Sequence, residues 1–176
     1  SNFSNDVFNH QFIINGDFEC GSDDALKIHH FGNALTNNLS GSVTFKGDVV
    51  IANTVTSFLN EGGTGAGNTR MSVNFDGGTL ASPKIIDIAP TAFAMNMNLK
   101  NSGYRKLRTQ DLTLNSVSGY TAVFTVETGS TLDFSWATNN TTPLVIKKAT
   151  TGAGGTNSFT SQQESTLVIT APDGIN

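Results

Sequence analysis

The densest group of acidic side chains lies near the start of the chain, at Asp17, Glu19, Asp23 and Asp24. Carboxylate oxygens are preferred ligands of Ca²⁺, and Asp17 and Glu19 share one face if this segment is a strand. Because the spacing is not that of an EF-hand loop, the alternative is a solvated acidic edge that discourages pairing with another sheet. We therefore name these four residues as calcium candidates, but we predict no bound metal and no other cofactor.

A basic segment later in the chain is a second candidate for binding. Its five residues are Tyr-Arg-Lys-Leu-Arg, and Tyr104, Arg105 and Arg108 are its candidate binding residues. Cations beside an aromatic ring could bind an anionic glycan or a phosphate. The alternative is an ordinary solvated strand or loop.

Tyr120 and Trp136 are the remaining binding candidates, since aromatic rings can stack on a sugar. Leu132, Phe134 and Trp136 are spaced two apart, so they share one face of a strand. That face is more typical of a core than of a sugar-binding surface.

Residues suited to catalysis are not grouped in any recognisable pattern. The acidic residues are spread thinly, and nothing distinguishes the pair Asp111 and Asp133 that stacked strands could bring together. There is no Gly-x-Ser-x-Gly motif, and Cys20 lacks the flanking residues of a nucleophile. The sequence therefore predicts a protein that is not an enzyme and has no catalytic residues.

Composition restricts the class of protein. The 176 residues fit a single domain spanning 1–176, and only 14% of them are charged. Ten Lys and Arg against fourteen Asp and Glu argue against a nucleic-acid partner, and no apolar run is long enough for a membrane-spanning helix. Low charge with abundant Asn and Thr indicates an extracellular or cell-surface protein. With only one cysteine, a bacterial or viral source is expected.

The dominant hydrophobic period is two, which predicts about ten to twelve short β-strands separated by Gly, Asn, Asp and Ser. Two Gly-rich segments, 61–69 and 150–157, are predicted to be exposed flexible loops. On the alternating strands, Asn74, Thr44, Thr113 and Asp133 should point outward. The residues expected to point inward are Val43, Phe45, Val73, Phe75, Leu112, Leu114, Leu132 and Phe134.

Many closely spaced short strands are compatible with two all-β architectures. The first and favoured one is a right-handed parallel β-helix, and the second is a β-sandwich or jelly roll. At 77–80, 129–132 and 164–167, polar or glycine residues precede Thr-Leu. Each of these short phrases is predicted to begin a strand. Such phrases favour stacked coils, although their intervals are uneven.

Three stretches of the sequence resemble repeats of bacterial autotransporter and adhesin passenger domains. They are 74–80 (NFDGGTL), 127–134 (ETGSTLDF) and 112–119 (LTLNSVSG), and the last is similar to the Leu-Thr-Val-Asn-Asn-Leu-Ser-Gly strand and turn near the end of such passengers. The Gly-Thr-Phe continuation expected there is replaced by 120–124 (YTAVF). The resemblance implies a secreted right-handed β-helix used for adhesion or as a stalk.

Two functions are compatible with these features. The first is a non-enzymatic surface module, an adhesin or passenger fragment that attaches to a glycan or protein of a host or neighbouring cell. The second is a structural subunit of a filament, fibre or coat. It would self-associate through the apolar N-terminal segment 6–18, donated as a strand, with the terminal strand 165–171 as the complementary half.

Overall fold

The computed structural model describes residues 10–21, 40–52, 70–88, 96–108, 111–117, 121–134, 145–151 and 156–168. Within these ranges the chain forms fourteen β-strands and no helix, which confirms the predicted all-β class. In chain order the strands are β1 (His10–Ile14), β2 (Phe18–Cys20), β3 (Ser40–Phe45), β4 (Val49–Ile51), β5 (Arg70–Asp76), β6 (Lys84–Ile88), β7 (Asn96–Lys100), β8 (Tyr104–Leu107), β9 (Asp111–Val117), β10 (Thr121–Val126), β11 (Thr131–Asp133), β12 (Val145–Thr151), β13 (Thr156–Ser161) and β14 (Thr166–Val168).

The strands form three sheets, and every pairing among the described strands is parallel. Sheet A has the order β1-β3-β5-β7-β10-β13, sheet B has the order β2-β4-β6-β8-β11-β14, and sheet C pairs β9 with β12. The chain therefore alternates between sheets A and B and returns one strand further along each time. This is the predicted parallel β-helix, and the uniformly parallel pairing excludes the jelly-roll alternative, whose strands would be antiparallel.

Each coil begins with its strand in sheet A: coil 1 with β1, coil 2 with β3, coil 3 with β5, coil 4 with β7, coil 5 with β10 and coil 6 with β13. The register shows how unequal the coils are. His10 pairs with Gly41, Ser42 with Ser72, Ser72 with Asn96, Asn96 with Val123 and Val123 with Ser158, so successive coils advance by 31, 30, 24, 27 and 35 residues. The connections absorb these differences while the strands stay in register. The Thr-Leu pairs of 129–132 and 164–167 are in register with each other, whereas that of 77–80 lies in a turn before β6 and does not begin a strand.

Apolar side chains of equivalent positions stack inside the coils and form the core. Phe45, Phe75, Leu99 and Val126 make one such column of sheet A, and all four are almost completely buried. The Phe45 and Phe75 rings stack with centroids 6.2 Å apart. The predicted inward positions Val43, Phe45, Val73, Phe75, Leu114, Leu132 and Phe134 are confirmed as buried, whereas the side chain of Leu112 lies outside the described part of the chain.

Two residues predicted to be solvated on the outer surface, Asn74 and Asp133, are instead buried, with 6% and 3% of their surface exposed. Asn74 occupies the outward side of β5, but neighbouring strands lie so close that their side chains cover one another. Its Nδ2 donates to Thr44 Oγ1 at 3.3 Å, and its Oδ1 accepts from Asn98 Nδ2 at 3.1 Å. A ladder of polar side chains thus replaces the expected contact with water. Thr44 itself is half-buried, and the side chain of Thr113 lies outside the described part.

Gly47 lies in the tight corner between β3 and β4, where the backbones of coils 1 and 2 come into contact. A Cβ added to Gly47 would lie 2.3 Å from the carbonyl oxygen of Gly16, whereas a Cβ added to Gly16 would meet nothing within 4 Å. We therefore expect Gly47→Ala to lower the free energy of unfolding by about 1–3 kcal/mol, because backbone must shift to admit the methyl group. Gly16→Ala, the matched control, should change it by about 0.5 kcal/mol or less. Urea unfolding of both variants checks this, and equal effects would contradict it.

The predicted Gly-rich loops lie largely outside the described residues. The segment 61–69 falls outside them completely, as do residues 152–155 of the second segment. The ends of that second segment belong to strands, since β12 runs to Thr151 and β13 begins at Thr156. The mobility of both segments stays a prediction. The described residues include no helix with the length and apolar character needed to cross a membrane.

Candidate functional site

The basic segment of β8 is divided between two environments by the alternation of its strand. Tyr104 and Lys106 lie on the outer face of sheet B and are half-buried, whereas Arg105 and Leu107 point into the coil. Arg105 has 0% of its surface exposed. The prediction that Arg105 contributes to a surface cluster for an anionic ligand is therefore wrong, because a strand cannot place adjacent side chains on one face.

Arg105 binds backbone carbonyl groups of two earlier coils. From coil 4 its Nη1 donates to Gly47 O at 2.5 Å, and its Nη2 donates to Phe45 O at 2.9 Å and to Asp76 O at 2.6 Å. The guanidinium carbon also lies 5.9 Å from the centroid of the Phe75 ring. One side chain thus joins coils 2, 3 and 4 at the corner between sheets A and B.

The charge of Arg105 is retained despite its burial. Loss of hydration lowers the pKa of Arg105 to about 10, while the carboxylates of Asp48, Asp76 and Asp17 act in the opposite direction. The guanidinium therefore stays protonated at neutral pH. Carbonyl oxygens in place of water satisfy most of its donors, so its role is to hold coils together rather than to contact a ligand.

Two aspartates at the same corner connect successive coils through side-chain hydrogen bonds. Asp17 Oδ1 accepts from the backbone N–H of Asp48 at 2.7 Å, and Asp48 Oδ1 accepts from the backbone N–H of Ile85 at 2.9 Å. Lys84 Nζ lies 3.6 Å from Asp17 Oδ1. The Asp48 N–H and then the charge of Lys84 lower the pKa of Asp17, which keeps this carboxylate ionised. We call this pair of contacts the aspartate ladder.

The calcium candidates do not form a ligand set within the described ranges. Asp17 is engaged in the aspartate ladder, Glu19 lies exposed in β2, and Asp23 and Asp24 lie outside the described part. Among the described residues, no group of three or more His, Cys, Asp or Glu side chains is placed to hold a metal ion.

The outer face of sheet B carries a second polar cluster, around Tyr104. Its hydroxyl donates to Asp133 Oδ2 at 2.7 Å. Further along the same face, Arg108 Nε lies 3.7 Å from Asp87 Oδ2. Tyr104 and Arg108 are thus both near the surface as predicted, but each is paired with a carboxylate. The candidates Tyr120 and Trp136 lie outside the described residues.

The hydrogen bond to Asp133, followed by burial and the carboxylate charge, raises the pKa of Tyr104 above 10.0. Because the folded value exceeds the unfolded one, this contribution to stability is complete below pH 10 and is lost as pH rises through the folded pKa. The chain has two tyrosines, so Tyr120→Phe leaves Tyr104 as the only phenol. We expect its absorbance titration to have a midpoint above 10, and Asp133→Ala to move the midpoint back toward 10. An unchanged midpoint would exclude Asp133 as the cause.

The outer face of sheet A differs from that of sheet B because it presents uncharged side chains across five strands, all of them polar except Val123. One column, Thr44, Asn74, Asn98, Thr125 and Thr160, is in register from β3 to β13. A parallel column two residues earlier contains Ser42, Ser72, Asn96, Val123 and Ser158. Charged residues lie at the strand ends, where Lys100 Nζ is 3.7 Å from Glu127 Oε1. We call the two columns the polar face.

Comparison of the chain with protein-family models, with curated proteins and with solved structures found no match.

Proposed function

We propose that the chain is a non-enzymatic attachment module of the adhesin or passenger type, and that it binds a cell-surface glycan through the polar face. Such a module acts outside the cell or at the cell surface, and its source is bacterial or viral. The observation that carries the proposal is the continuity of that face. Hydroxyl and amide side chains repeat at the spacing of neighbouring strands, about 4.8 Å, over five coils. The amide of Asn74 is buried and bonded to Thr44 and Asn98, so the groups open to a ligand in the first column belong to Thr44, Asn98, Thr125 and Thr160. A repeated array of this kind suits a repetitive partner, which a linear polysaccharide is.

The chemistry of the polar face favours a neutral glycan. Ser, Thr and Asn side chains both donate and accept hydrogen bonds, as sugar hydroxyl groups do. The nearest charges, such as Asp76, Lys100 and Glu127, lie at the ends of the strands, and Lys100 and Glu127 are close enough to neutralise each other. An anionic polymer would find no row of cations there, since the two columns of the polar face contain only Ser, Thr, Asn and Val residues.

The test is binding to a panel of immobilised neutral and anionic glycans. Thr125→Arg places a large side chain in the middle of the polar face, between the buried neighbours Phe124 and Val126. Thr166→Arg is the matched control, because Thr166 is exposed on β14 of sheet B. We expect Thr125→Arg to weaken binding to a neutral glycan about tenfold or more and the control to leave it unchanged. Equal loss in both variants, or binding only to anionic glycans or to proteins, would contradict the proposal.

A further inference from the structure

The first coil leaves apolar residues of β1 in contact with solvent. Phe12 is 64% exposed and Ile13 is 56% exposed, although Phe12 pairs in register with Val43, which is almost completely buried. The difference arises because Val43 has a strand on each side, while β1 pairs with β3 and with no other described strand. A core column therefore continues to the edge of sheet A and ends there uncovered by the described residues.

The opposite edge of sheet A, at β13, carries the same column. Phe159 pairs with Phe124 in the register of the sheet, and the two rings stack with centroids 5.7 Å apart. Phe159 is only half-buried because no described strand lies beyond β13. Phe12 and Phe159 are thus the two ends of one stack of side chains.

Within the described strands, neither edge carries the charged residues or prolines that usually prevent pairing with another molecule. Natural edge strands are protected by Lys, Pro, bulges or inward-pointing charges. The sequence of β1 is HQFII and that of β13 is TNSFTS, so neither strand contains Lys, Arg, Asp, Glu or Pro. The last strand of sheet B, β14 (TLV), also lacks all five residue types.

We propose that these two edges bind each other, so that coil 6 of one molecule stacks on coil 1 of a second copy. The strands at both edges run in the same direction, since all pairings in the sheet are parallel. Continuing the register places Phe159 of one copy against Phe12 of the next and Thr160 against Ile13. The contact is head-to-tail, so it does not close on itself and generates an open row of molecules. It uses the two edges of sheet A, and of the polar face it shares only the β13 residues Ser158 and Thr160.

The experiment is a charge exchange at the outward pair Ile13 and Thr160, both of which are exposed. In the double variant Ile13→Lys, Thr160→Lys, like charges would oppose each other across the joint. In the double variant Ile13→Lys, Thr160→Glu, the two charges across the joint would have opposite signs. Sedimentation velocity over a concentration series measures association of the full chain, while circular dichroism and thermal unfolding check that both variants fold.

We expect the unaltered chain to associate into linear rows, visible by negative-stain microscopy. The Lys/Lys variant should associate about fivefold or more weakly, and the Lys/Glu variant should recover most of that loss. An unaltered chain that stays monomeric at all concentrations would overturn the proposal. Association that neither double variant changes would also overturn the proposal. Loss of association in both double variants, whether residue 160 is Lys or Glu, would overturn it too, because that result indicates pairing between two β1 edges.

Discussion

Arg105→Met is expected to lower the free energy of unfolding by about 3–5 kcal/mol. Methionine fills a similar volume, but it leaves the carbonyl groups of Phe45, Gly47 and Asp76 without their donor. Buried carbonyls that lose a charged partner and gain no water are costly. Arg105→Lys should rescue only part of the loss, because one ammonium group lacks the fork that reaches two coils.

Arg108→Met is the control for this prediction. Arg108 is three residues further along the chain, and its side chain is 37% exposed beside Asp87. An exposed ion pair contributes about 1 kcal/mol or less. Chemical denaturation of both variants measures the difference, and similar losses for Arg105→Met and Arg108→Met would show that Arg105 does not hold the coils together.

Phe75→Ala is expected to cost a similar amount, about 3–5 kcal/mol, through lost burial and the cavity that remains. Phe75 lies in the middle of its column, stacked on Phe45 and in register with Leu99, and it has 0% of its surface exposed. The surrounding strands cannot collapse into the space, because their backbones are fixed by the sheet on both sides.

Phe12→Ala provides a control of the same residue type in the same sheet. Because Phe12 lies at the uncovered edge, its truncation should change stability by about 0.5 kcal/mol or less at concentrations where the chain is monomeric. Thermal or urea unfolding of the two variants compares a side chain inside the core with one at the exposed end of the neighbouring column. A small loss for Phe75→Ala would mean that the stacked interior contributes less than its burial implies.

The alternation of single strands was sufficient to predict the all-β class and the inward positions of sheet A. In β5, for example, Val73 and Phe75 are buried as expected from their spacing of two. Alternation also assigns a face to each residue of β8, and Arg105 shares the face of Leu107. Alternation alone does not predict a buried arginine, because charged side chains are rarely buried. The groups that make its burial tolerable are carbonyls 29 to 60 positions earlier in the chain, which no local pattern reveals.

The aspartate ladder was also missed, although its residues leave a trace in the sequence. Both Asp17 and Asp48 follow a glycine and come directly before a strand of sheet B. The sequence makes Asp17 a calcium candidate, because an isolated carboxylate pattern does not distinguish a metal ligand from a hydrogen-bond acceptor for the next coil. The distinction depends on the register between coils, and the uneven coil lengths hide that register from the sequence.

The hydrogen bonds of Arg105 to two earlier coils should increase the cooperativity with which the solenoid unfolds. In a solenoid whose coils touch only their immediate neighbours, stability is a sum of nearest-neighbour terms and the ends can fray coil by coil. Arg105 adds a coupling between coil 4 and coil 2, so neither can open without also breaking contacts of the coil between them. We therefore expect coils 2 to 4 to open together as one cooperative unit, with the exposed Lys84–Asp17 contact adding a weaker link from coil 3 to coil 1.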